Sequence, residues 1–145
     1  MTTHEITTGK WYLSNGTLFD VGYAGHGVGL NNPNAVGMKG VGPAPPGVYN
    51  AVEMIEQHPH LGAYAIHLEP DTNTRAYILL LGRDADSFFI HGDEVDHVGE
   101  HLASDGCLIH SRTSRVEFWE GSDHQVQIVN GPAIPPPQTS YPRSL

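Results

Sequence analysis

Residues 48–90 read VYNAVEMIEQHPHLGAYAIHLEPDTNTRAYILLLGRDADSFFI, and this stretch decides the fold class. Four apolar or β-branched runs, Val48–Ile55, Ala63–Leu68, Ala76–Leu81 and Ser87–Ile90, are separated by turn-forming residues. Short runs of this kind, punctuated by His-Pro-His, Asp-Thr-Asn and Gly-Arg-Asp, are the pattern of successive strands in an antiparallel sheet. Asp71–Thr74 reads as a hairpin tip between two of them. With 17 Gly and 11 Pro in 145 residues, the composition points the same way, toward turns and strands and away from long helices. The expectation is a mainly β, single-domain, antiparallel sandwich-like fold. A chain of this length buries roughly two thirds of its unfolded surface without staples.

Upstream, Lys10–Ser14 and Thr17–Val21 flank Asn15-Gly16, a dipeptide suited to the positive φ angles of a type I′ hairpin turn. Gly22–Pro46 is rich in Gly, Asn and Pro. As a connection of about 25 residues it is longer than ordinary loops, which predicts an ordered functional loop. Downstream, Asp93–Ser104 is polar, Gly106–His110 resumes an apolar run, and one short helix is expected with Ser111 or Thr113 as its cap and Val116 and Trp119 at helical spacing. Gln125–Val129 closes as a strand. Residues 1–130 form the expected catalytic domain; 131–145 form a tail with five of the 11 prolines, expected to be extended or partly disordered.

The net charge of −9, from 7 basic against 16 acidic residues, leaves no basic footprint for nucleic acid or for an anionic membrane surface. No apolar run is long enough to span or insert into a membrane, and Met1–Lys10 lacks the features of a classical export signal. The chain is therefore expected to be made in the cytoplasm. The single cysteine, Cys107, cannot close an intramolecular disulfide and is either buried filler or a reagent.

Phe88-Phe89-Ile90-His91-Gly92 and Ser104-Asp105-Gly106-Cys107-Leu108-Ile109 carry the chemistry. His91 ends an apolar run and Cys107 begins one, so a loop between them can bring imidazole and thiol side by side. An imidazole within reach generates the nucleophilic thiolate by taking or sharing its proton. On this reading Cys107 should be alkylated faster than a model thiol. Gly106 gives backbone amides room to approach a substrate carbonyl, and Ser104 can orient the loop or the imidazole by a hydrogen bond. Without further information a buried structural Cys and a hydrogen-bonded structural His stand beside this reading.

The spaced segments His91-Gly92 and Ser104-Asp105-Gly106-Cys107 resemble the signature of the L,D-transpeptidase (YkuD-like) family. Gly22-Tyr23-Ala24-Gly25, Asn31-Asn32-Pro33, Val41-Gly42-Pro43 and Pro46-Gly47-Val48-Tyr49 resemble its small branch of type VI secretion effectors. The resemblance implies a cysteine-dependent enzyme that forms a thioester and cleaves the L,D bond of peptidoglycan tetrapeptide stems. The acyl group then passes to water, as an L,D-carboxypeptidase, or to an amine, as an L,D-transpeptidase. It implies Cys107 as nucleophile, His91 as base and Ser104 and Gly106 as the supporting loop, with Gly92, Asp105, Arg112 and Tyr23 on the substrate. It further implies no cofactor and no metal, secretion machinery and an immunity protein as partners, and action in the periplasm of target bacteria. Better-known members carry His before the Gly of this segment and Arg two residues after the Cys. Here Asp105 and Ile109 stand there, leaving Arg112 or Arg83 for a substrate carboxylate, and Asp105 either polarises His91 or faces solvent.

Two other readings compete. His97-Val98-Gly99-Glu100-His101 matches H-x-x-E-H, in which two histidines one helical turn apart bind Zn²⁺ and Glu activates water. That chemistry needs a helix, and Gly99 sits inside the motif between short polar flanks. A non-catalytic β-rich binding module is the second alternative.

Overall fold

The computed structural model describes residues 1–93, 101 and 103–132. Its centre is the long hairpin of β5 (Gly47–His58) and β6 (Gly62–Pro70), paired from Tyr49 opposite Pro70 to His58 opposite Gly62 with a register shift between Ala51 and Glu53. To one side of β5 lie β9 (Gln125–Val129), β1 (Thr2–Glu5), β2 (Lys10–Tyr12) and β3 (Leu18–Val21). Beyond β6 lie β7 (Phe89–His91), β8 (Leu108–Ile109) and β4 (Tyr23–Ala24). Hydrogen bonds join all nine into one sheet, in the order β3-β2-β1-β9-β5-β6-β7-β8-β4. The mainly β expectation holds. The sheet is mixed, however: β1 runs parallel to β9 and β7 runs parallel to β8.

Among the described residues there are two short helices where one was expected. α2 (Arg112–Glu120) begins as the sequence predicts, with the Ser111 hydroxyl accepting from the Ser114 amide. α1 (Thr72–Leu80) occupies the place assigned to a hairpin tip and a strand. Asp71 is its N-cap, accepting from the Thr74 amide at 2.9 Å, and this bond favours a helix start over a turn. Only Thr74 and Ile78 of the helix are buried, while Leu79 and Leu80 are exposed. The apolar run thus marks no buried strand; helix and strand are indistinguishable for short apolar runs without periodicity.

The β2–β3 hairpin forms where expected but with a different turn. The Gly16 amide donates to Leu13 O and the Leu13 amide to Thr17 O, and only Gly16 of the loop has a positive φ, at 87°. This is the three-residue loop with a left-handed glycine, not the two-residue I′ turn. Gly22–Pro46 is ordered, as expected, and contains β4 and two 3₁₀ turns, Gly27–Gly29 and Pro33–Ala35. The tail assigned to 131–145 lies, from residue 133, outside the described residues.

The core gathers Trp11, Tyr49, Ile66, Leu68, Ile78, Phe88, Ile90, Leu108, Phe118 and Ile128, each at most 5% exposed. Burying each such side chain contributes roughly 1.5–3 kcal/mol before entropy is counted. Ile90 and Leu108 are register partners in β7 and β8, so the core clamps two strands of which one ends in His91 and the other is preceded by Cys107.

Candidate active site

Cys107 sits one residue before β8, and the parallel pairing of Ile90 with Leu108 and His91 with Ile109 puts it level with Phe89. Side chains alternate along a strand, so Phe89, His91 and Cys107 share one face. Residues two steps apart in such a register lie about 8 Å apart at Cα, a gap that imidazole and thiol side chains can close. Both line a single cleft of about 430 Å³, with Arg83, Ser87 and the exposed Lys39 around them.

The His91 ring is fixed from behind. Its Nδ1 lies 2.9 Å from Gly92 O, and because a carbonyl only accepts, Nδ1 carries the proton and Nε2 of the neutral ring carries the lone pair a base needs. Gly92, expected on the substrate, supplies this orienting carbonyl. A side chain there would meet the Arg115 guanidinium at 2.8 Å. Arg115 is buried, its Nε donating to His110 O and its Nη1 to Ala63 O and Tyr64 O, and so ties α2 to β6 behind the imidazole.

Ser104 orients the nucleophile loop and not the imidazole. Fully buried, its hydroxyl donates to Cys107 O at 2.6 Å and accepts from the amides of Gly25 at 2.8 Å and Gly106 at 3.0 Å. The amide of Gly106 itself is thereby occupied. Gly106 is needed for another reason. Its φ is +140°, and a Cβ would fall 2.6 Å from Arg83 Nη2 and 3.0 Å from Gly42 O. Removing the Ser104 hydroxyl by Ser104→Ala leaves three backbone groups without their partner, so it should cost about 2–4 kcal/mol in urea unfolding. A loss under about 1 kcal/mol would show that the loop is held by other contacts.

Burial sets the protonation of the pair. It pushes the Cys107 thiol up to about 11, with the Asp105 carboxylate assisting and the Phe89 amide and Arg83 opposing. It holds the His91 imidazole down to about 4, with the Gly92 bond acting in the opposite direction. Burial thus favours neutral thiol and neutral imidazole at rest, a direction opposite to the unusually reactive free thiol expected from the sequence. Sγ lies 3.5 Å from Ser87 O, to which it donates, and no hydrogen bond joins it to His91 among the described residues.

A second cleft, of about 450 Å³, lies on the other flank of His91 and shares Leu61, His91, Ala103 and Asp105 with the first. Arg112 lines it, exposed and with its guanidinium 5.7 Å from the Tyr64 ring centre, available to an anionic group. The Asp105 side chain is 84% exposed and its carboxylate is 3.6 Å from His26 Nδ1, so it faces solvent and does not hydrogen-bond His91. The Tyr23 hydroxyl donates to Asp93 Oδ1 at 2.7 Å and accepts from the Ala103 amide, bracing both sides of the polar segment between His91 and Ser104. Arg83 is buried beside the nucleophile loop. Lys39, on the cleft rim, went unrecognised in the sequence; its place between the conspicuous glycines of the long loop was the available signal.

Of the H-x-x-E-H motif, His97 and Glu100 lie outside the described residues. His101 has φ +57°, which an α-helix interior does not contain, and its ring packs on Tyr23 at 4.7 Å. No group of three or more His, Cys, Asp or Glu able to hold a metal ion occurs among the described residues.

Residues 20–132, which include His91, Cys107 and the loops around them, match the Tlde1 domain. The chain belongs to the Tlde1 domain family. This is a family of type VI secretion effector domains. No curated protein matches the chain. Among the described residues, no helix of this Tlde1 domain is long and apolar enough to cross a membrane.

Proposed function

We propose that this Tlde1 domain is a cysteine acyl-transfer enzyme of the L,D-transpeptidase type. It cleaves the L,D bond of peptidoglycan tetrapeptide stems as an antibacterial toxin acting in the periplasm of target cells. The observation that carries the reading is that Cys107 and His91 open into one cleft from adjacent parallel strands, with Nδ1 of His91 held by Gly92 O. Sγ attacks the carbonyl carbon of the L,D bond while its proton passes to His91 Nε2. The C–N bond breaks, the departing amine takes that proton, and a thioester remains on Cys107. Water or an amine then attacks the thioester, losing its proton to His91. The C–S bond breaks and sulfur takes the proton back.

Arg112 is suited to a carboxylate of stem or acceptor in the second cleft, since its guanidinium is exposed there while those of Arg83 and Arg115 are bonded to carbonyls. Mass spectrometry of purified stems incubated with the protein tests the assignment. Tetrapeptides should become tripeptides, or carry a new terminal residue when a D-amino acid is added. Stems left unchanged by stoichiometric protein would refute it.

A further inference from the structure

The Arg83 guanidinium is buried, 6% exposed, yet every hydrogen bond it makes among the described residues goes to a neutral acceptor. Nη1 donates to Val36 O at 2.9 Å, Gly42 O at 3.0 Å and Pro43 O at 2.7 Å, and Nη2 donates to Asp105 O at 3.1 Å. No carboxylate pairs with it among the described residues; the exposed Asp105 offers its backbone and turns its side chain toward His26. Carrying a cation into such a place without a counter-ion costs several kcal/mol even when its hydrogen bonds are made. A neutral side chain able to donate to fewer carbonyls would staple the loops without that cost. A buried cation without an anion is, however, what a site needs when an anion appears there only during reaction.

Its position identifies the anion. Nη2 lies 2.6 Å from where a Gly106 Cβ would stand, the guanidinium carbon is 5.1 Å from the centre of the Phe88 ring, and Arg83, Phe88 and Cys107 line one cleft. Residue 109, two after the cysteine, is a buried isoleucine, so no cation comes from there.

We propose that Arg83 is the positioning residue for the nucleophile: it fixes the Asp105–Cys107 backbone against the Val36–Pro43 loop and supplies the positive potential in which negative charge develops at Sγ. It takes no proton and touches no substrate; the thiol proton goes to His91. The electrostatics are reciprocal, as linkage requires: Arg83 favours the thiolate, offsetting the Asp105 carboxylate that disfavours it, and the thiolate favours the charged guanidinium. The inference rests on Cys107 being the nucleophile.

The test needs no peptidoglycan, so its failure is distinct from failure of the substrate assignment. Because the chain has one cysteine, alkylation reads one thiol. Rates with neutral iodoacetamide and anionic iodoacetate are measured from pH 7 to 9 for wild type, Arg83→Gln and Arg83→Lys. Arg83→Gln should slow iodoacetamide about threefold, since a tenfold smaller thiolate fraction is partly offset by a more basic sulfur. It should also lower the iodoacetate-to-iodoacetamide ratio severalfold, a change that altered loop packing alone would not produce. Arg83→Lys keeps the charge without the fork and should hold the wild-type ratio even if it melts earlier. A folded Arg83→Gln with the wild-type ratio would overturn the proposal. If Arg83→Gln does not fold, Arg83→Lys decides: a retained ratio supports the role of charge, and a ratio that collapses refutes it.

Discussion

Cys107→Ala should abolish stem cleavage, with kcat/KM down by at least about 10³-fold, and His91→Ala should do nearly the same. The resting pair explains the size of both effects. With the thiol pushed up to about 11, almost no thiolate exists at neutral pH without the base, so losing the imidazole removes the route by which sulfur sheds its proton. The double variant should be little worse than either single one, because the two groups act as a unit. Exported to the periplasm of a test bacterium, the wild-type protein should be toxic and the two variants harmless, while all three should be harmless in the cytoplasm, where stems are absent. Cys107→Ala removes only a small side chain, so its melting temperature should stay within a few degrees of wild type and exclude misfolding as the cause. Equal toxicity of wild type and Cys107→Ala, with stems intact, would return the chain to the binding-module reading.

What the sequence made legible was local. The runs at Val48, Ala63, Ser87 and Gln125 became β5, β6, β7 and β9 because each carries its own burial pattern and is bounded by its own turn residues. Ser111 announced α2 because a cap acts three residues away. The run Ala76–Leu81 misled because Leu79 and Leu80 spend their apolar surface on solvent. The parallel pairings of β1 with β9 and β7 with β8 join segments distant in the chain, and no local period encodes them. The same division holds at the site. Cys107 and His91 stood out through their flanking glycines, but the protonation of the pair did not, since it is set by how deeply the fold buries them. Ser104 and Arg83 act through carbonyls and amides contributed by distant loops, so their partners were visible only in the structure.

The fold should lose stability in mild acid, starting near pH 6.5 and well before carboxylates titrate. Two buried histidines at the opposite end of β8 are bonded in a row. Asp20 Oδ2 is 2.9 Å from His110 Nδ1, and His110 Nε2 is 3.0 Å from His4 Nδ1. Burial alone would raise the Asp20 carboxyl, but the bonds from His110 and the Ser111 amide hold it down to about 2, so it is ionised and only accepts. His110 Nδ1 must then carry a proton; in the neutral ring its Nε2 accepts from His4 Nδ1–H. That leaves His4 Nε2 bare, and it has no partner among the described residues. Burial lowers His4, with repulsion from His110 adding to it, and burial lowers His110, with Asp20 opposing and Arg115 assisting. His91, at about 4, behaves alike.

All three histidines are neutral in the fold and take protons when it unfolds, so their contribution is complete above about 6.5 and is lost as pH falls below it. His91 alone accounts for about 3 kcal/mol between there and pH 4. Asp20 adds its own loss only below about 4, as its lowered carboxyl is protonated. For a domain of this size each kcal/mol moves the midpoint by about 3 °C, so melting between pH 7.5 and 5 should fall by several degrees at least. His4→Phe removes one titrating group together with the orphaned Nε2, and should flatten that fall even if it melts lower at pH 7.5. A melting temperature constant from pH 7.5 to 5, or a His4→Phe curve parallel to wild type, would rule out the buried row as the source of acid sensitivity.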